Sequence, residues 1–412
     1  MKSKITKMIA SFAVLLLAAG CRNSSENTKL LEDIELIPVR MSEVKGDLRT
    51  TYVTLDGKQA FDKRFFDADF FSDGLAKVTT LVDEQYLQTS FINTKGETVF
   101  DAPYKNVTGF WNGRAWAKKE DSVVALNTKG EEVFVLDGTP KTMFNADGKA
   151  MVKTKDGNYG IVDKSGAVSL LADTLTVVTS FPIIYANRLV VRNKHGKEGI
   201  IDLRGNVIVD FGVYTNISPY DINGCALVSV DGESIWVDKD GKKLADEEFG
   251  ISQLGRFHGH CDGDLYVYVG SGQVDYYPCT FYHSWRDKNG KEVGELADLG
   301  RVAKEAAYVG GIFQGFYGSE YAYWGNFRID RKGNVTEMPF KKAVSPLIGG
   351  KVLFAKFLDD EKNEKNGLFS KDGELLNDVV SLRIDIRDLG GDRKGVGCGA
   401  PYVDTELVTR GY

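Results

Sequence analysis

The sequence predicts an all-β repeat protein, and three observations lead to that prediction. A glycine-containing turn motif recurs at a mean spacing of about 40 residues, and a short strand motif recurs between successive turns. The composition is the third observation. Of 412 residues, 42% are hydrophobic and 27% are charged, which excludes a polytopic membrane protein and a wholly disordered chain.

The N-terminal segment has the pattern of a secretory signal. Three lysines within the first seven residues precede an apolar run at 9–19, which is too short for a permanent transmembrane helix. Small residues then lead to Cys21, and this arrangement resembles a bacterial lipoprotein signal, in which the cysteine is lipidated and becomes the mature N-terminus. The alternative is an ordinary signal peptide with an incidental cysteine. We expect a signal peptide at 1–20, lipidation of Cys21, and a tether at 21–48.

The charge balance limits the partners. Removal of residues 1–20 leaves 49 basic and 58 acidic residues, a net charge of −9. Without a cluster of Lys or Arg, such a chain is a poor candidate for nucleic-acid binding, which depends mainly on phosphate neutralisation. Arg22 follows the anchor cysteine, where an Asp would resemble the inner-membrane retention signal of Gram-negative lipoproteins. We therefore expect an outer-membrane lipoprotein of a Gram-negative-type bacterium, periplasmic or surface-exposed.

The turn motif reads apolar, Asp or Asn, two variable residues, and Gly. Glycine supplies a position with positive φ, and the Asp or Asn side chain can hydrogen-bond the turn backbone. Because alternating apolar residues flank each copy, each is predicted to be a β-hairpin. The turn glycines are Gly57, Gly96, Gly130, Gly166, Gly205, Gly241, Gly290, Gly333 and Gly373.

The strand motif consists of Asp or Asn, Gly, and then alternating apolar residues. Its alternation over four to six residues predicts strands with one buried face. Together the two motifs resemble the WG-repeat family of bacterial β-repeat proteins, over about residues 50–380. The chain departs from the family's Trp-Gly pair, since Trp324-Gly325 is out of register and Tyr159-Gly160 replaces it elsewhere. The resemblance implies a fold and brings no catalytic residues.

About three strands per unit fit two architectures. A seven- or eight-bladed β-propeller is the favoured one, with an open β-superhelix as the alternative. The repeat domain is predicted at 49–385, and a closure segment or tail at 386–412. Because the chain starts and ends on hairpin motifs, the first and last segments are expected to complete one shared blade.

The interval between Gly241 and Gly290 exceeds the mean by about 10 residues and contains two cysteines. We expect it to protrude as a loop stapled by a disulfide between Cys261 and Cys279, because extra residues in a closed repeat emerge at a rim. Zinc bound by these two thiols, His283 and either His258 or His260 is the weaker alternative, since the ligand spacing is poor. No metal or other cofactor is expected.

Three further features of the sequence are predicted to have structural roles only. Cys225, on a strand motif, is predicted to be a buried thiol, and His195 an exposed turn residue. Asp238-Lys-Asp240-Gly241 has some likeness to a calcium loop but lacks the distal acidic ligands, so it is predicted to be a hairpin turn.

Candidate binding residues are the aromatics outside the repeat motifs, since exposed aromatic rings serve both glycan and protein recognition. They are Tyr276, Tyr277, Phe316 and Tyr317, all predicted to lie in loops. The sequence therefore predicts a membrane-anchored, monomeric envelope protein that binds or scaffolds a protein or glycan partner and is not an enzyme. The alternative is a propeller-type glycan-active enzyme or glycan-binding surface protein, because paired carboxylates need closeness in space rather than in sequence.

Overall fold

The computed structural model describes most of the repeat region. It covers residues 34–41, 49–82, 86–104, 106–178, 184–220, 224–243, 319–378 and 380–381. It also covers the strands within 258–287 and at 313–314, and isolated positions between 302 and 309.

The described residues form nine antiparallel sheets, numbered here in chain order. Sheet 1 contains β1 (Leu36–Met41), β2 (Thr50–Thr54) and β32 (Val380–Ser381). Sheet 2 contains β3 (Asp67–Ala68), β4 (Leu75–Val82), β5 (Tyr86–Asn93) and β6 (Thr98–Asp101). Sheet 3 contains β7 (Asn106–Val107), β8 (Ala115–Lys119), β9 (Ser122–Leu126) and β10 (Glu132–Leu136).

The central sheets continue this pattern. Sheet 4 contains β11 (Gly138–Pro140), β12 (Lys149–Thr154), β13 (Tyr159–Asp163) and β14 (Val168–Leu170). Sheet 5 contains β15 (Thr176–Val177), β16 (Arg188–Arg192), β17 (Glu198–Asp202) and β18 (Val207–Val209). Sheet 6 contains β19 (Ala226–Val230) and β20 (Glu233–Val237).

The last three sheets are formed by the C-terminal third. Sheet 7 contains β21 (His258–Asp262), β22 (Leu265–Val274) and β23 (Tyr277–Asp287). Sheet 8 contains β24 (Phe313–Gln314), β25 (Tyr321–Trp324), β26 (Phe327–Asp330) and β27 (Val335–Glu337). Sheet 9 contains β28 (Lys342–Ala343), β29 (Val352–Leu358), β30 (Glu364–Ser370) and β31 (Leu375–Asn377).

The predicted hairpin turns are confirmed wherever the structure describes them. All eight described turn glycines have φ between 76° and 95°. Each donates its backbone N–H to the carbonyl three residues earlier, as Gly130 does to Asn127 at 2.9 Å. The copy at Gly290 lies outside the described residues. The strand motif is confirmed too, since its copies open β4, β8, β12, β19, β22 and β29.

The core lies between successive sheets. Trp116 of sheet 3 is fully buried and stacks on Phe144, which lies in the loop between β11 and β12 of sheet 4, with ring centroids 5.0 Å apart. Met151 and Ile161 of sheet 4 belong to the apolar cluster that also contains Leu189 of sheet 5. Sheet 4 therefore buries apolar side chains against both sheet 3 and sheet 5, which is how a repeat too small to fold alone becomes stable.

Turn glycines form a second, regular contact between neighbouring sheets. Gly130 of sheet 3 lies against the Phe100 ring of sheet 2, so closely that a Cβ at this position would be 2.6 Å from the ring. Gly166 of sheet 4 meets Phe134 of sheet 3 at the same distance. The backbone of each of these turns thus packs onto an outer-strand side chain of the preceding sheet.

The two ends of the repeat meet through the same contacts. Gly57 of sheet 1 lies against Leu376 of sheet 9, in the way that Gly130 lies against Phe100. Ile37 and Phe354 share one apolar cluster, and β32 pairs with β1. This junction closes the repeat, as in a β-propeller, and confirms the shared sheet expected of the first and last segments. The all-β repeat fold is confirmed.

Two boundaries differ from the prediction. β1 falls within the segment predicted to be a tether, because Ile37 and Val39 are buried between sheets 1 and 9. The segment predicted as a closure segment or tail, 386–412, lies outside the described residues. The interval expected to form a loop contains sheet 7, whose strands β22 and β23 have 10 and 11 residues, and this raises the number of described sheets to nine.

Candidate binding face

The two sequence motifs lie at the same end of the sheets. Within each four-stranded sheet the strands alternate in direction, so the loop between the first and second strands and the turn between the third and fourth strands meet at one end. We call this end the turn face. It is the end at which the motif Asp, Asn and Gly residues of successive sheets come close together.

The acidic and amide side chains of the turns are engaged by their own backbone. The Asp238 carboxylate accepts hydrogen bonds from the N–H groups of Asp240 and Lys242, each at 2.9 Å. Asp163 does the same for Ser165 and Ala167, and these hydrogen bonds, with that of the Ser165 hydroxyl first among them, hold the pKa of Asp163 below its ordinary value. The hairpin-turn reading of 238–241 is confirmed.

Loops of the strand motif form a second set of hydrogen bonds from sheet to sheet. The Gly113 N–H donates to the Asp73 carboxylate at 2.8 Å, and the Asn112 amide donates to the Phe144 carbonyl at 2.8 Å. Asn145 in turn donates to the Asn187 side chain at 2.9 Å. The Asp and Asn residues of this motif therefore tie neighbouring sheets together along the turn face.

Arginine side chains reach from one sheet to the turn of another. Arg188 donates to the Lys239 carbonyl at 2.7 Å and pairs with Asp240 at 3.2 Å. Arg328 pairs with Asp372 of the next described turn at 2.9 Å and lies over the Tyr321 ring. Neither sequence motif predicts these contacts. In the sequence, each pair is visible as an Arg followed about one repeat later by an Asp that directly precedes a turn glycine. A comparison of charged positions between repeats can detect this pattern.

Outer strands of sheets 2–5 display aliphatic side chains to solvent. Each of these strands is the edge of its sheet, with hydrogen-bonded neighbours on one side only among the described strands. Val135 of β10 is 64% exposed and Leu170 of β14 is 60% exposed. The other exposed aliphatics on these edges are Val99, Val133, Val168 and Val207. Unpaired strand edges with aliphatic side chains are surfaces on which another strand can pair.

Most of the predicted site residues cannot be placed. Cys21, Tyr276, Phe316 and Tyr317 lie outside the described residues. Tyr277 is the first residue of β23, so the prediction that it lies in a loop is wrong. Tyr and Phe favour strands, and the run that contains them extends the hairpin.

The register of sheet 7 bears on the predicted disulfide. Cys261 of β21 pairs with Tyr266 on the middle strand β22, and Cys279 of β23 pairs with Gly272 on the same strand. Six residues separate these positions along β22, which corresponds to about 20 Å. A disulfide needs Cα atoms within about 7 Å, so this register does not support the staple.

Two other predicted residues lie where the sequence predicts them. Cys225 is a buried thiol, and His195 is an exposed turn residue. Among the described residues, no group of three or more His, Cys, Asp or Glu side chains is arranged to hold a metal ion. No helix in the described part of the chain has the length and hydrophobicity needed to cross a membrane.

Comparison with known proteins supports the repeat. The sequence model of the WG containing repeat matches residues 90–121 and 199–233. No curated protein matches the chain.

Three solved structures are similar over much of the chain at low identity. BamB from Moraxella catarrhalis is 12% identical, with 83% of this chain and 92% of that chain covered and a TM-score of 0.30. AztD from Citrobacter koseri is 11% identical, with 90% and 99% covered and a TM-score of 0.33. PorZ from Porphyromonas gingivalis, a surface component of the type-IX secretion system, is 10% identical, with 81% and 57% covered and a TM-score of 0.25. Similarities this weak assign no function.

Proposed function

We propose that the protein is a membrane-anchored binding or scaffold protein of the cell envelope, without a catalytic activity of its own. The observation that carries the proposal is the row of exposed aliphatic side chains on the edge strands of sheets 2–5. The proposed occupant of this surface is an extended segment of a partner protein that adds a strand to one of these edges.

The strand β10 offers the longest of the four edges, with five residues. Its free side presents backbone donors and acceptors, which supply affinity when a strand is added, and side chains at alternate positions supply specificity. Val133 and Val135 are both exposed, and Val133 lies at a bulge of the ladder between Glu132 and Phe134. Aliphatic side chains favour a polypeptide over a glycan, whose recognition depends more on aromatic rings.

Strand addition at β10 is testable by photo-crosslinking in intact cells of the source bacterium. A photoreactive phenylalanine analogue at Val135 should yield one discrete protein adduct. The adduct should disappear when Val133 is also replaced with Lys, because an edge lysine prevents strand pairing. The same analogue at the exposed His195, on a turn away from this edge, is the control. Absence of an adduct, or the same adduct from position 195, contradicts the proposal.

The anchor is the second part of the proposal, and it is supported by the lipoprotein-like signal at residues 1–21. Lipid chains contribute about 0.8 kcal/mol per buried methylene, so a multiply acylated cysteine holds a protein stably on a membrane. The orientation, periplasmic or surface-exposed, follows from protease accessibility in intact cells.

Replacing Cys21 with Ser should move the protein from the membrane fraction to the soluble fraction, because no acyl chain can then be attached. The measurement is immunoblotting of the two fractions, with Cys398→Ser as the matched control that leaves the signal intact. A wild-type protein that is soluble with an unmodified N-terminus would show that the signal is an ordinary secretory one.

A further inference from the structure

Two arginines occupy equivalent positions on the turn face. Arg114 and Arg188 each follow two consecutive residues with positive φ, namely Asn112-Gly113 and Ala186-Asn187. Arg188 is the first residue of the strand β16, and Arg114 directly precedes the strand β8. Each also donates to the carbonyl of the second residue in a turn farther along the chain, Arg114 to Lys164 at 3.1 Å and Arg188 to Lys239 at 2.7 Å.

The two turns have the same fold but differ in one functional group. In Asp238-Lys239-Asp240-Gly241 the residue before the glycine is an acid, and its carboxylate pairs with Arg188 at 3.2 Å. In Asp163-Lys164-Ser165-Gly166 the same position is a serine. Asp163 and Asp238 accept the same pair of backbone hydrogen bonds, so the two turns place this residue alike.

Arg114 consequently has an unmatched charge. None of the carboxylates in the described part of the chain lies within ion-pair distance of its guanidinium, and its Nε is buried without an acceptor. Its two hydrogen bonds go to the Gly113 and Lys164 carbonyls. A partly buried guanidinium without a counter-charge has lost hydration that no ion pair replaces.

The position of the missing carboxylate is open to solvent. At the equivalent pair the Arg188 side chain is 13% exposed while the Asp240 side chain is 50% exposed, so the acid occupies the outer side of the contact. Ser165 is exposed in the same way. Arg114 is half-buried and the neighbouring Ser165 is exposed, so the outer side of this contact borders solvent.

We propose that the Arg114 guanidinium binds the oxyanion of a small solute, a carboxylate or a phosphate, in the place that Asp240 fills beside Arg188 and that the short Ser165 side chain leaves open. The planar guanidinium matches the geometry of both groups. The Ser165 hydroxyl already donates to the Asp163 carboxylate at 2.6 Å, so the Arg114 guanidinium supplies the donors to the anion. This site does not involve the anchor, and its turn packs through Gly166 on Phe134 of the edge strand β10.

The test is isothermal titration calorimetry of the purified protein with inorganic phosphate and, separately, with acetate, at constant ionic strength. The wild type should bind at least one of them saturably at a single site, and the two titrations distinguish a phosphate from a carboxylate ligand. Ser165→Asp should weaken that binding at least tenfold, because the new carboxylate takes the place of the ligand. Ser165→Asn introduces a side chain of about the size of Asp but without its charge, so it should not form an ion pair with Arg114.

A converse variant makes the test symmetrical. Asp240→Ser recreates the Arg114 arrangement around Arg188 and should add a second site of the same anion preference. The proposal is overturned if the wild type binds neither anion, or if Ser165→Asp binds as tightly as the wild type. Thermal unfolding of each variant in the absence of anion verifies that it is folded, and Ser165→Asp is expected to unfold at a higher temperature than Ser165→Asn.

Discussion

Replacing Trp116 with Ala should lower the free energy of unfolding by about 3–5 kcal/mol, which is the usual cost of truncating a buried aromatic side chain. Trp116 is fully buried, stacks on Phe144 and meets the Phe134 ring edge-on. Its indole N–H donates to the Thr142 carbonyl at 3.1 Å. The substitution therefore leaves a cavity between sheets 3 and 4 and a buried carbonyl without its donor.

The measurement is urea unfolding followed by far-UV circular dichroism. Leu170→Ala is the matched control, because it also truncates a large apolar side chain but at a site that is 60% exposed. Its effect should stay within about 0.5 kcal/mol. Equal losses for the two variants would mean that the cluster around Trp116 does not hold the sheets together.

Local features of the fold were predictable from the sequence. A hairpin turn is determined by a few neighbouring residues, and the Asp or Asn and Gly of each copy specify the positive φ and the side-chain hydrogen bonds directly. Asn93 illustrates this, since its side-chain oxygen accepts from the N–H groups of Lys95 and Glu97, both at 3.0 Å. These turns recur, so their spacing also revealed the repeat.

Features that depend on distant partners were not predictable. β1 has no turn motif of its own and includes Pro38, and its strand conformation depends on pairing with β2 and with Val380–Ser381 at the other end of the chain. The strand motif predicts the start of β22, whereas the surplus length of the interval favours a loop and does not reveal the partners β21 and β23. The strand-forming residues within it favour a longer hairpin.

The candidate sites also differ in whether the sequence alone could indicate them. The loop aromatics were chosen for their residue types, and that choice stays a prediction. The oxyanion site depends on one substitution, Ser165 for the acid found at Asp240, and it becomes visible only when the structure shows that Arg114 and Arg188 reach equivalent turns. The exposed edge at Val135 likewise requires the sheet order, since sequence alone does not indicate which strand is outermost.

Replacing Gly130 with Ala should cost about 2–5 kcal/mol of unfolding free energy, from two separate causes. Its φ of 82° is unfavourable for a residue with a Cβ, at a cost of about 1–2 kcal/mol. The new Cβ would also lie 2.6 Å from the Phe100 ring, and overpacking of this kind costs about 1–3 kcal/mol. Gly205 is the matched control, because it occupies the same turn motif with φ of 88° but has no atom within 4 Å of the corresponding Cβ. Gly205→Ala should therefore show the backbone cost alone.

A double-mutant cycle separates the two causes at Gly130. Phe100→Ala is destabilising by itself, because the ring also stacks on Phe91 with centroids 4.9 Å apart. If the Gly130 contact is steric, Gly130→Ala should cost about 1–3 kcal/mol less in the Phe100→Ala background than in the wild type, since no ring remains to be displaced. Additive losses would contradict this, as would equal losses for Gly130→Ala and Gly205→Ala. Because Gly57 and Leu376 make the same kind of contact where the ends of the repeat meet, a steric result at Gly130 predicts that Gly57→Ala weakens the closure of the repeat in the same way.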